Sequence, residues 1–221
     1  MRLRRVKDAL ETVESSKYIV LNPEQYKGKF KTLFNNDNPI HIEIGMGKGD
    51  FVVGMAEMYP DINFIGIEKY ESVMVRGVQK LEDTNYPNLK LLHMDALNIC
   101  DVFDHEIDTI YLNFSDPWPK NKHAKRRLTS EVFLKLYDNI FKGEPHIVQK
   151  TDNILLFGSS IESLSKYGYT IEKCTLDLEN EDMPNVETEY ERKFKAKGFK
   201  INYLDAVKHI KKELIFFYYM L

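Results

Sequence analysis

The sequence predicts an α/β fold in which a mostly parallel sheet carries helices on both faces and closes with antiparallel C-terminal strands. Three observations predict it. From Ile40 onward, short apolar runs alternate with stretches of helical period, the pattern of strands joined by crossover helices. No internal repeat, low-complexity tract or Pro/Gly/Ser-rich linker divides the chain. In the final third, strand-like runs follow one another without long helices between them, which suits antiparallel pairing.

Taken in order, the turn-rich Asn35-Asn36-Asp37-Asn38-Pro39 ends a basic N-terminal extension, residues 1–38, and 39–221 form a single domain. Ile40 to Ile44 reads as the first strand. Asp50 to Tyr59 follows Gly49 as a helix and is stopped by Pro60. Asn63 to Ile67 is the second strand, after which Met74, Val78 and Leu81 share one helical face. Leu89 to His93 and Thr109 to Phe114 are the third and fourth strands. Phe133, Leu136, Tyr137 and Ile140 fall at i, i+3, i+4 and i+7, with Thr129 or Ser130 as N-cap. His146 to Lys150 is the fifth strand, and Ile154, Phe157, Ile161 and Leu164 repeat the helical pattern after Asp152-Asn153. Thr170 to Leu176, Ile201 to Val207 and Leu214 to Phe217 are the closing strands.

The 221 residues, 43% apolar and 29% charged, suit one substantial core and exclude disorder, collagen and coiled coil. A net charge of −3 argues against indiscriminate coating of nucleic acid. That total hides a partition. Asp177 to Glu191 holds seven acidic residues and no Lys or Arg, so the rest of the chain carries +4. Cys100 and Cys174 lack any ligand spacing, so neither a disulfide framework nor a metal site is expected, and a reducing cytoplasm is the simplest compartment. Arg2, Arg4, Arg5 and Lys7 precede polar sequence rather than the apolar core of a signal peptide. The longest apolar run, Leu214 to Leu221, is far shorter than the roughly 20 residues of a membrane span. No membrane partner is expected.

Ligands of open doubly wound sheets bind outside the carboxyl ends of the strands. An acidic residue is read after each of the first four strands: Glu43, Glu68, Asp95 and Asp116, separated by 25, 27 and 21 residues, each about one strand-and-helix unit. All four should line one sheet edge. The turn Gly45-Met46-Gly47-Lys48-Gly49 lets backbone approach a ligand closely. Glu68, 23 residues beyond Gly45, stands where a dinucleotide fold places the acid that holds ribose hydroxyls. Asp50 replaces the third glycine of the dinucleotide fingerprint, and Glu43 would oppose a pyrophosphate. An adenosine-containing cofactor with a carboxylate and a positive centre therefore fits better than a dinucleotide. A glycine turn alone is often only a tight connection, and Asp95 alone is equally a helix cap; four acids at matching ends carry more weight.

The most specific string is Asn113-Phe114-Ser115-Asp116-Pro117-Trp118-Pro119-Lys120. Its two prolines make a rigid loop that should display the chain's one tryptophan. Lys120, Lys122, Lys125, Arg126 and Arg127, with His123 among them, then put five positive charges in eight residues. Five phosphate contacts would weaken binding roughly 10²- to 10³-fold between 50 and 200 mM salt. Alone, the run reads as a solvated loop; joined to a carboxylate at the cofactor edge, it reads as an RNA-docking loop.

Ser115-Asp116-Pro117-Trp118-Pro119-Lys120 resembles the hallmark of the bacterial TrmB family, the tRNA (guanine-N7)-methyltransferases. Lys150-Thr151-Asp152-Asn153 and Thr188-Glu189-Tyr190-Glu191 resemble two further motifs of that family, in the same order. The resemblance spans roughly Ile40 to Val207. It implies a Rossmann-like class I S-adenosylmethionine-dependent methyltransferase fold, tRNA as partner, a monomer or homodimer, and methylation of N7 of the variable-loop guanine at position 46. It also implies cofactor contacts at Glu43, Gly45, Gly47, Glu68, Asp95 and Asp116, and a catalytic role for Asp116. Substrate contacts are implied at Lys120, Asp152, Thr188, Glu189, Tyr190 and Glu191, and RNA contacts at Lys122, His123, Lys125, Arg126 and Arg127. The N-terminal stretch lacks the Pro-Trp that commonly follows its basic residues in the family. Two rivals are methylation of an exocyclic amine, disfavoured because Trp118 separates the two prolines, and a non-catalytic RNA-binding module, disfavoured by the intact glycine turn and its acids.

Overall fold

A computed structural model describes residues 7–210. Seven strands form one sheet in the order β3-β2-β1-β4-β5-β7-β6. They are β1 (Ile40–Ile44), β2 (Asn63–Glu68), β3 (Leu89–His93), β4 (Thr109–Asn113), β5 (His146–Thr151), β6 (Thr170–Thr175) and β7 (Asn202–Val207). The first five pair in parallel, whereas β7 lies antiparallel between β5 and β6. The helices are α1 (Ala9–Glu14), α2 (Asp50–Met58), α3 (Glu71–Lys80), α4 (Ile99–Val102), α5 (Glu131–Tyr137), α6 (Ile154–Lys166) and α7 (Glu189–Lys195).

Alternate residues of the central strands feed two cores. Phe64, Leu89 and Leu91 pack with Val13, Phe51, Met55, Met74 and Val78 of α1 to α3. On the opposite face Ile42, Ile65, Ile110 and Ile147 meet Ile99, Leu134, Tyr137, Phe157 and Leu164 of α4 to α6. Strand β2 is buried at every position, because helices cover both of its faces. Residues 7–38, read as an extension, pack onto this domain: Phe30 and Val13 are fully buried, and the Tyr18 carbonyl and Val20 N–H bond both backbone groups of Leu91.

Several boundaries differ from the sequence reading. The fourth strand stops at Asn113 because Phe114 turns to a φ of 50°. Leu176 and Ile201 fall just outside β6 and β7. Helix α5 ends at Tyr137, and Ile140 is buried beyond it. Ser130 holds the N-cap position, yet its hydroxyl donates to the Lys125 carbonyl. The strand expected at Leu214 to Phe217 lies outside the described residues. Because β6 runs parallel to β5, the 176–201 connection leaves and re-enters at the carboxyl edge of the sheet.

Candidate active site

At that edge Gly45, Gly47 and Gly49 all take positive φ (79°, 58° and 78°), a conformation side chains rarely adopt. Space above Gly45 and Gly47 is open to at least 4 Å from where a Cβ would sit, so a ligand can rest against the backbone there. Glu68, at the end of β2, fixes this turn from behind. Its carboxylate accepts the Gly47 N–H (3.0 Å) with one oxygen and the Lys69 and Tyr70 N–H groups (2.9 and 3.0 Å) with the other. Burial still pushes its carboxyl above the usual range.

Glu43 stands inside β1, not after it, and is 2% exposed. One oxygen accepts the Val52 N–H in the first turn of α2 (3.2 Å), and the other accepts the Asn113 amide (2.9 Å). An anion at a helix N-terminus is favoured, but burial dominates and raises the carboxyl to about 7. Glu43 therefore frames the cofactor edge from within, through the Val52 N–H and the Asn113 amide. Asp95 caps the turn that follows β3 by accepting the Leu97 N–H (3.0 Å), and it pairs with Lys69 at 2.5 Å. Burial opposes its ionisation, yet those two partners hold it below the usual carboxylate range. It both caps and lines the edge.

Asp116 is exposed on the loop after β4, and the buried hydroxyl of Ser115 before it has no partner among the described residues. Trp118, in contrast to the expected display, is half-buried at a φ of 41°. The Arg126 guanidinium sits 4.7 Å from its ring centroid, and the His123 ring lies 5.8 Å away. Arg127 donates Nε and Nη2 to the carbonyls of Pro117 and Trp118, both at 3.1 Å. The two arginines therefore brace the loop. Lys120, Lys122 and Lys125 remain exposed, with no ion pair among the described residues.

The Thr188 to Glu191 segment divides. Thr188 accepts the Glu191 N–H (2.9 Å) and caps α7. Glu189 turns outward: its carboxylate pairs with Lys48 of the glycine turn (2.7 Å), and its N–H donates to Asp50 (2.9 Å). Burial, followed by the nearby Asp152 carboxylate, pushes the Tyr190 phenol up to about 12. Glu191, the last residue of the string, anchors it to the interior. It is 1% exposed and accepts from Lys150 Nζ and Asn185 Nδ2, both at 2.7 Å. Lys150 also donates to the Val186 carbonyl (2.8 Å) and Asn185 Oδ1 (2.9 Å). Burial pulls its ammonium below the ordinary lysine range, against the pull of Glu191. Sequence reasoning missed Lys150 and Asn185. The available signal was a lysine inside a strand otherwise destined for the core, where a charge requires a partner.

An open glycine cradle, an unpartnered Ser115 hydroxyl and an acidic sheet edge fit a cofactor that combines adenosine with a positive centre. This fold and this edge define a Rossmann-like class I S-adenosylmethionine-dependent methyltransferase. Solved structures agree on the fold. An antibiotic-related methyltransferase matches with a TM-score of 0.63 at 17% identity, covering 88% of this chain and 97% of that one. The 16S rRNA methyltransferase KamB matches with 0.61 at 15% identity, covering 83% and 94%. A family described as "Putative methyltransferase" matches residues 37–204. Proteins named tRNA (guanine-N(7)-)-methyltransferase are 51% identical in Bacillus licheniformis, over 87% of this chain and 92% of the relative, and 48% identical in Bacillus cytotoxicus, over 93% and 96%. The Bacillus subtilis protein of that name is 51% identical over 84% and 88%. The chain belongs to the tRNA (guanine-N7)-methyltransferase family. No helix among the described residues is long and apolar enough to cross a membrane.

Proposed function

We propose that this chain transfers a methyl group from S-adenosylmethionine to N7 of a guanosine in tRNA, the variable-loop guanosine at position 46, in the cytoplasm. One observation carries the reading to particular residues. The braced Ser115-Asp116-Pro117-Trp118-Pro119 loop puts Asp116 at the same sheet edge as the open glycine turn, in a chain of this family. Gly45, Gly47, Glu68 and Asp95 would hold the cofactor, which supplies an electrophilic methyl group on a sulfonium. Glu43 acts through α2 and Asn113.

Guanine N7 carries a free lone pair at neutral pH, so no general base is needed and alignment dominates. As N7 is alkylated the purine becomes cationic. A carboxylate fixed beside it stabilises that charge most in the transition state, which is the role given to Asp116. Asp152 and Tyr190, close enough for the carboxylate to raise the phenol, orient the base, and Lys120 holds adjacent backbone. The remaining exposed cations of the loop, Lys122, Lys125 and Arg126, meet phosphates.

Incubation with unmodified tRNA and methyl-labelled cofactor, followed by borohydride/aniline cleavage at 7-methylguanosine, should place the label at position 46. Asp116→Ala should fold normally and lose about 10²-fold or more in kcat. Label at an exocyclic nitrogen, or near-normal turnover by Asp116→Ala, would overturn this assignment.

A further inference from the structure

We infer that α7 and the turn after it form a second RNA-gripping surface, which holds the nucleotide next to the target guanosine; this rests on the tRNA reading above. Residues 192–200, Arg-Lys-Phe-Lys-Ala-Lys-Gly-Phe-Lys, contain five cations, two aromatics and no acid. They directly follow the most acidic segment of the chain. At helical spacing, Tyr190, Lys193, Phe194 and Lys197 share one face of α7 and its extension. The rings form a continuous ladder that begins inside the candidate site. Phe114, from the Asp116 loop, lies 4.9 Å from Tyr190; Tyr190 stacks on Phe194 at 4.2 Å and 15°; Phe194 meets Phe199 at 5.4 Å. Tyr190 and Phe199 are 42% and 50% exposed, unusual for rings with no covering element.

The cations divide by engagement. Lys195 pairs with Glu187 and Glu179, and Lys200 pairs with Asp177, so these two fasten the helix to the acidic segment. Lys193 and Lys197 have no ion pair among the described residues, and Lys197 Nζ rests 4.9 Å from the Phe194 centroid. Free ammonium groups beside an exposed aromatic ladder match a stacked base flanked by phosphates. A second copy of the chain would bring like charges together at this face, so RNA is the better complement. The ladder's contact with Phe114, two residues before Asp116, puts this surface beside the target base.

The test uses the full chain with unmodified tRNA, comparing wild type with Lys193→Ala/Lys197→Ala and with Phe199→Ala. The double variant should raise the tRNA KM about tenfold while kcat and cofactor affinity stay within twofold. Its log–log salt slope should fall in magnitude by about 1.4 to 1.8, the value for two lost phosphate contacts. Phe199→Ala should raise KM about fivefold with an unchanged slope. Unaltered KM and slope in a double variant whose wild type methylates tRNA would overturn the inference. So would a wild type that self-associates in sedimentation and a double variant that does not, which would assign the face to a second copy. A wild type that binds tRNA with the full slope but methylates another atom overturns the functional reading and leaves the gripping surface standing.

Discussion

The cofactor edge and the acceptor loop share one end of one sheet and hold their charges in opposite ways. Glu43, Glu68 and Asp95 each accept backbone N–H groups, and the first two are buried. Their hydrogen bonds shape the glycine turn, the start of α2 and the turn after β3. Lys120, Lys122 and Lys125 stand exposed on a loop whose backbone is held by Arg127 and by the Trp118 and Arg126 stack. The difference separates preorganisation from attraction. Buried carboxylates hold geometry at any salt concentration, whereas exposed lysines act through a field that salt screens within about 10 Å. Between them lies the buried Lys150 and Glu191 pair, which carries a charge of each sign and ties the 185–191 segment to β5.

The sharpest way to break the comparison is to remove one member of that pair. Lys150→Met leaves Glu191 buried and uncompensated, and should cost about 3–5 kcal/mol in denaturant unfolding. The double variant Lys150→Met/Glu191→Leu should recover most of the loss while still lowering activity, because Asn185 and Val186 lose their anchor. Next comes pH. The folded state holds the Glu43 proton up to about 7, whereas an unfolded carboxyl releases it near its ordinary value of 4.5. Stability from this group is full below 4.5, falls as pH rises toward 7, and is flat above, a loss on the order of 3 kcal/mol. Its surroundings are Asn113, the Val52 N–H, Lys150 and Glu68. Glu43→Gln should flatten that slope in thermal melts taken across the window; an unchanged slope would refute the buried, raised carboxyl. Smaller again is Gly77→Ala, whose Cβ would stand 2.8 Å from the Lys48 carbonyl oxygen. About 1–3 kcal/mol of overpacking strain should appear, with weaker S-adenosylmethionine binding by calorimetry because the glycine turn shifts. The smallest effect on stability, within about 0.5 kcal/mol, should come from Lys122→Ala/Lys125→Ala. Here the readout is tRNA affinity, whose salt slope should become shallower while melting stays constant.

Much of the frame was legible because buried parallel strands are short, apolar and regularly spaced, as Ile40 to Ile44 and Asn63 to Ile67 are. The antiparallel close was readable as well, but not the insertion of β7 between β5 and β6, since pairing order leaves no periodic trace. At the site, chemistry was more legible than burial. Spacing brought Glu43, Glu68, Asp95 and Asp116 to one edge, yet nothing in it distinguished exposed Asp116 from Glu43 at 2% exposure. Likewise the Thr188 to Glu191 string did not separate Tyr190, exposed beside Phe114, from Glu191, turned inward to Lys150. Trp118 was expected to be displayed because its flanking prolines describe the backbone, whereas its cover comes from Arg126, eight residues away.

The insertion of β7 also sets an order of assembly. The glycine turn and the carboxylates around it need only strands that precede β5 in the chain, β1 with β2, β2 with β3 and β1 with β4. The partner that neutralises Lys150 and the phenol that meets Asp152 arrive on a segment whose far end is β7. That segment is seated only when β7 pairs with β5 and gives β6 its neighbour. During synthesis from the N-terminus, the cofactor half can therefore form while the acceptor half does not yet exist. A chain interrupted before residue 202 keeps a lysine in its central sheet with no anchored counter-charge, which makes completion of the last strand a checkpoint on the whole site.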